Sequence, residues 1–101
     1  MGFFDFIFGT KKRQVMSYLK NNALILDVRT QREWDRGHLE QARLIPLDDL
    51  NNRVEELQSL NRPVIVCCES GVRSSKAAKF LNLHNIDAIN GGGWVRLSKQ
   101  L

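Results

Sequence analysis

Cysteine is scarce in this chain of 101 residues, and its two copies, Cys67 and Cys68, are adjacent. Neighbouring residues can bridge only through a strained ring, so no disulfide framework is available. Free thiols fit a reducing compartment, and a cytoplasmic location is expected. No apolar run approaches the roughly 20 residues that span a bilayer, so no membrane contact is expected. The opening residues lack a basic leader and a long apolar centre, and Asp5 interrupts them, which argues against a secretory signal. Phe6 stands where the myristoylation pattern requires Ser or Thr. No metal-ligand spacing and no dinucleotide-type glycine fingerprint appear, so neither a metal nor a cofactor is expected.

What remains is ordinary for a globular domain: 43% apolar and 26% charged residues, in a length that suits a single core. The formal charge is +4, and much of the excess sits in Lys11, Lys12, Arg13 and scattered helical positions. That pattern reads as a solvated basic face, and no nucleic-acid partner is expected. Four of the five phenylalanines, Phe3, Phe4, Phe6 and Phe8, crowd the start. Residues 1–10 are therefore set apart as an apolar N-terminal segment folding back over the core, with a dimer contact or a membrane foot as alternatives. Residues 11–101 form the domain proper.

Val15, Met16 and Leu19 recur at helical spacing through residues 11–21. Residues 23–28 are a nearly continuous apolar run, as expected of a strand buried on both faces. Thr30 with Glu33 forms a capping box for a short turn that carries Trp34 inward and stops at Gly37. A second strand is predicted over residues 43–46. Leu47, Leu50, Val54, Leu57 and Leu60 then mark a helix. Residues 63–67 are a third strand, opened by Pro63, whose missing N–H is tolerable only at the first position. Residues 71–85 read as a helix burying Ala77, Ala78 and Leu81, residues 86–89 as a fourth strand, and residues 90–93 as a turn. Trp94, Val95 and Leu97 begin a closing helix. The alternation predicts a single α/β domain of three layers, with a small, mainly parallel central sheet of four to five strands flanked by helices.

The chemistry lies where the third strand ends. Ligands of open α/β sheets sit beyond the carboxyl ends of strands, and here that place holds a thiol, Cys68. The loop Glu69, Ser70, Gly71 can curl its N–H groups around one point, and the helix that follows adds its positive end. Gly71 relaxes the steric limits on such a curl. Val72 opens the helix, Arg73 places a cation at the rim of the loop, and Ser74 can cap the helix. Each favours a thiolate, the nucleophilic form of cysteine. Cys67, still inside the strand, reads as a buried and inert residue. Asp27 and Arg29, at the end of the neighbouring strand, can pair with each other or with Arg73 to shape the pocket. His38 reads as a structural turn residue and His84 as a helix-terminal cation.

The run Cys68, Glu69, Ser70, Gly71, Val72, Arg73, Ser74 resembles the active loop of the rhodanese homology domain family, single-domain sulfurtransferases with the pattern Cys-x-x-Gly-x-Arg-Ser. Leu26, Asp27, Val28 and Arg29 are similar to that family's Asp-Val-Arg strand end. Glu33 and Trp34, then Gly37, His38, Leu39 and Ala42, are similar to its Glu-aromatic and Gly-His-aliphatic stretch, and Asn90, Gly91, Gly92, Gly93 and Trp94 to its closing Gly-Gly turn. The resemblance runs from about residue 23 to the end and implies a rhodanese-like fold over residues 11–101. Three departures stand out: no clear first edge strand unless Phe3 to Phe8 supplies it, Gln41 in place of Gly, and Glu69 as an acid inside an anion-cradling loop.

The resemblance implies a sulfurtransferase in which Cys68 carries sulfane sulfur as a persulfide. The implied donor is thiosulfate, a small persulfide or a cysteine desulfurase, and the acceptor is cyanide, glutathione, thioredoxin or a protein thiol. A second class stays open, because five residues separate Cys67 from Arg73, the spacing of cysteine-dependent phosphatases. Val66 stands where those enzymes usually carry His, and Gly71 fits the tighter loop counted from Cys68. A non-catalytic rhodanese-like interaction module is the third class.

Overall fold

The computed structural model describes the backbone of residues 3–101 and the side chains from Lys11 onward. Its order is α1 (Phe3–Lys20), β1 (Leu24–Asp27), α2 (Gln31–Asp35), β2 (Ala42–Leu44), a 3₁₀ segment (Leu47–Arg53) running into α3 (Val54–Leu60), β3 (Val64–Cys68), α4 (Val72–Leu83), β4 (Ala88–Gly93) and α5 (Trp94–Ser98). The four strands lie in the order β2-β1-β3-β4, and every pairing is parallel.

The period-two alternation of strands explains how so short a chain builds two cores. On β1 and β3, Leu24, Leu26, Val64, Val66 and Cys68 face one layer, with Leu50, Leu57, Ala77 and Leu81 from the 3₁₀ segment, α3 and α4. Ile25, Ile65 and Cys67 face the other, where Val15 of α1 and Leu97 of α5 are fully buried. The expected three layers are thus present, and β1 and β3 are buried along their whole length. Truncating a residue such as Leu81 to alanine would cost about 2–5 kcal/mol, the usual range for a filled core position.

Several sequence expectations need correction. The first helix begins at Phe3, so the segment Phe3 to Phe8 is helical and supplies no edge strand. Whether residues 1–10 fold over the core lies outside the described side chains. Met16 is exposed although it keeps helical spacing with Val15. Trp34 is only half-buried, stacked on His38 with ring centroids 3.7 Å apart. The second strand is Ala42–Leu44, earlier than predicted, because Ile45 and Leu47 turn their N–H groups back to the Asp27 and Val28 carbonyls.

The largest correction concerns residues 90–93, which continue β4 rather than turning. The register beside β3 shifts there, from Val66 opposite Asn90 to Cys67 opposite Gly92, so Gly91 is an extra residue in the strand. A Cβ on Gly91 would stand 2.7 Å from Ile65 Cγ2, and one on Gly93 would stand 2.6 Å from the Glu69 carbonyl oxygen. The glycines therefore give clearance between β4 and the loop that leaves β3.

Candidate active site

Cys68 ends β3, and Gly71, with φ of +101°, turns the chain into α4. That left-handed conformation suits glycine and lets the intervening N–H groups point at one sulfur. Cys68 Sγ accepts the Gly71 N–H at 3.0 Å and the Ser74 N–H at 3.4 Å, and the Ser70 N–H joins them. Cys68 is fully covered, and burial alone pushes its thiol up; hydrogen bonds from the Ser74 side chain and from the Ser74, Gly71 and Ser70 amides outweigh it. The thiol is thereby held below its usual value of 9.0. A sulfur anion is favoured at this place by oriented dipoles.

Ser74 does not cap α4, whose N-cap is Gly71 with no side-chain bond. Its hydroxyl lies 3.2 Å from Cys68 Sγ and donates to Asn90 Oδ1 at 2.6 Å. The Asn90 amide is oriented by two backbone groups: Oδ1 accepts the Gly92 N–H at 2.9 Å, and Nδ2 donates to the Gly71 carbonyl at 3.0 Å. A hydroxyl carries one proton. While it points to Asn90, the Ser74 oxygen accepts from the Cys68 S–H; once the sulfur is ionised, the same proton must swing to the sulfur. Asn90 is a site residue that the sequence concealed inside a glycine run.

Asp27 and Arg29 form a buried pair, 0% and 2% exposed, with Arg29 Nη2 2.8 Å from Asp27 Oδ2. Arg29 also donates to the carbonyls of Glu33 at 3.2 Å and Gly37 at 2.8 Å, meets Glu69 at 3.3 Å, and lies 4.8 Å over the Trp94 ring. Burial works against the charge of Arg29, but the bond and charge of Asp27, then those of Glu69, hold its pKa above the ordinary value. Arg29 thus ties the 33–37 turn, the active loop and α5 together, and its ion pairs are with Asp27 and Glu69 rather than with Arg73. Glu69 is turned to Arg29 and to Trp94 Nε1 at 3.3 Å, which partly answers its charge.

Arg73 binds Glu33 through both nitrogens, at 2.6 and 2.8 Å. That bidentate bond, against a smaller cost of burial and with help from Thr30, holds the Glu33 carboxyl down at about 2. The cation expected at the rim is therefore matched by a carboxylate 40 residues away in sequence. The Thr30–Glu33 capping box is formed as predicted, so one carboxylate serves both helix and loop. Val72 is exposed at the start of α4. His38 donates to the Trp34 carbonyl and His84 to the Phe80 carbonyl, both local contacts.

Cys67 is fully buried between Asp27 and Gly92 in the sheet. Burial, then the Asp27 charge, pushes its thiol up to about 12 despite Arg29. It is a poor nucleophile on both counts, which removes the physical basis for a loop counted from Cys67. Among the described residues no cluster of three or more His, Cys, Asp or Glu could hold a metal, and no helix is long and apolar enough to cross a membrane.

A parallel α/β domain with a cysteine in an amide-lined loop at the end of a central strand defines a recognisable class. The chain belongs to the rhodanese-like domain family, whose model matches residues 12–99. It is similar to thiosulfate sulfurtransferase 18 of Arabidopsis thaliana, 32% identical over 101 aligned positions covering 81% of this chain and 71% of that protein. It is 41% identical over 59 residues to the uncharacterized protein YqhL of Bacillus subtilis, covering 58% of this chain but only 46% of the relative, so it spans less than half of that protein's length. Among solved structures, a rhodanese-like domain protein from Staphylococcus aureus superposes with a TM-score of 0.67 at 33% identity, over 74% of this chain and 72% of that one. A rhodanese-related protein from Thermoplasma volcanium gives 0.70 at 25% identity, over 84% and 87%.

Proposed function

We propose that the protein is a sulfurtransferase that carries sulfane sulfur on Cys68. The observation that carries this reading is the convergence of the Ser70, Gly71 and Ser74 N–H groups on one sulfur whose thiol is held below its usual value. The name of the Arabidopsis relative supports it at family level. In the proposed reaction the Cys68 thiolate attacks the sulfane sulfur of thiosulfate or a persulfide, and a sulfur–sulfur bond forms. The donor's own bond to that sulfur breaks, and sulfite or a thiolate leaves with the electron pair. The resulting Cys68 persulfide keeps one negative charge, which the same amides stabilise as preorganised dipoles. An acceptor thiolate, or cyanide, then takes the outer sulfur and releases the Cys68 thiolate. Glutathione, thioredoxin and protein thiols are the acceptor types this chemistry admits. The two half-reactions predict ping-pong kinetics. The scheme uses no general base, because the hydrogen bonds to the sulfur already favour the thiolate. Cys68 is fully covered, and the two residues that follow it in the loop, Glu69 and Ser70, are exposed.

Asp27, Arg29 and Glu33 are assigned the supporting role of fixing the loop and Arg73. A reducing, cytoplasmic setting goes with this proposal. Mass spectrometry of the protein after incubation with thiosulfate or a persulfide donor tests it. A gain of one sulfur on Cys68, kept in Cys67→Ser and lost in Cys68→Ser, is expected. Aryl phosphate hydrolysis lost in Cys67→Ser, with no sulfur gained, would instead identify a phosphatase. Neither activity would leave an interaction module.

A further inference from the structure

The basic residues that look scattered in sequence converge in one groove beside the active loop. Lys11 and Lys12 of α1, Lys76 and Lys79 of α4 and Arg96 of α5 line a cavity of about 690 Å³. Among the described residues that line it there is no carboxylate. Four lysines and an arginine from three helices thus face one groove. None of the five ion pairs among the described residues uses a lysine. Lys11 is held below its ordinary pKa, first by burial and then by the Arg96 charge.

The groove also touches the chemistry. Ser70 and Gly71, whose N–H groups hold the Cys68 sulfur, are among its lining residues. Val72, 63% exposed, lies on the same face of α4 as Lys76 and Lys79, at one-turn and two-turn spacing. An exposed apolar residue ringed by cations suits a protein surface better than a small anion, which would engage only one or two of five cations spread over three helices. Among the described side chains none that lines the groove is aromatic, so these offer no stacking platform for nucleic-acid bases.

We propose that this groove docks an acidic segment of the protein thiol that exchanges sulfur with Cys68, using the lysines of α1 and α4 for charge and Val72 for apolar contact. The proposal rests on the sulfur-transfer reading and adds the partner's chemistry to it. Complementary charge of this kind mainly raises the encounter rate and falls off with salt.

The test uses the full chain, loaded with sulfur on Cys68, and two synthetic peptides with one cysteine each, flanked by glutamates in one and by glutamines in the other. Transfer of the outer sulfur to the glutamate peptide is expected to be about tenfold faster than to the glutamine peptide at low salt, with the preference fading as salt rises. In Lys76→Glu/Lys79→Glu the ratio should fall to about one or below, while transfer to a small neutral thiol stays within about twofold. An equal ratio in both proteins overturns the groove. If no acceptor receives sulfur, the sulfur-transfer reading fails by itself. Fluorescence anisotropy with serine versions of the peptides then decides whether the groove still binds acidic segments, and loss of binding on charge reversal supports it. An oligonucleotide of equal charge that displaces the glutamate peptide at lower concentration overturns the choice of a protein partner.

Discussion

Replacing Ser74 with alanine should make Cys68 less reactive, and replacing Asn90 with alanine should make it more so. The opposite signs follow from one shared proton. In the neutral site the Ser74 hydroxyl donates to Asn90 at 2.6 Å, and ionisation of Cys68 draws it to the sulfur 3.2 Å away. A hydrogen bond to a charged group is worth about 1.5–3 kcal/mol, and giving up a neutral one costs about 1 kcal/mol. The hydroxyl thus stabilises the thiolate by a net of about 0.5–2 kcal/mol, a factor of about 2–30 in thiolate population. Ser74→Ala forfeits that gain, although the Ser74 N–H stays in place. Asn90→Ala removes the competing acceptor and frees the hydroxyl for sulfur. It also strips partners from the Gly92 N–H and the Gly71 carbonyl, so a lower melting temperature is expected beside the higher reactivity. The assay is the rate of alkylation by iodoacetamide across pH, followed on Cys68 by mass spectrometry. If both variants move the alkylation profile in the same direction while remaining folded, the shared-proton arrangement is refuted.

Three further outcomes are expected. Glu69→Gln should raise the rate with thiosulfate by several-fold at low salt and leave an uncharged organic trisulfide donor little changed, since it removes a carboxylate, 57% exposed, from the rim of the loop. Glu33 is depressed in the folded state to about 2 from an ordinary 4.5, so its stabilising effect is fully present above about pH 5 and is lost as the pH falls towards 2. Acid unfolding followed by circular dichroism should show this component in the wild type and not in Glu33→Gln. Gly93→Ala places a Cβ 2.6 Å from the Glu69 carbonyl, which neither backbone can absorb without moving the loop; a stability loss of about 1–3 kcal/mol in denaturant melts, with slower sulfur loading, is the expected result.

Much of the framework was legible because burial and local geometry write themselves into short stretches. The apolar runs of β1 and β3 have no polar alternation, and both strands are covered on both faces. Ala77, Ala78 and Leu81 keep helical spacing and are the buried side of α4. Cys68 and its loop stood out because a nucleophile, a glycine and a helix start fall together. What was missed depends on distance in sequence. Nothing near Arg73 announces Glu33, 40 residues earlier, and nothing near Glu69 announces Trp94. The glycine run at 90–93 reads locally as a turn, yet its cause is clearance from Ile65 and the Glu69 carbonyl. Asn90 looked like a turn former for the same reason. The groove was invisible because its cations come from three separate helices.

The period of the β-strand places Cys67 and Cys68 on opposite sides of the sheet, each sulfur sealed into a different core. For a carrier of the proposed kind, adjacency in sequence therefore brings no chemical neighbourliness. Cys67 has no line of approach to a sulfur loaded on Cys68, so the chain lacks an internal thiol that would expel the cargo as a disulfide forms. A loaded molecule would then keep its sulfur until another molecule comes to collect it, and its waiting time would be set by the acceptor's concentration.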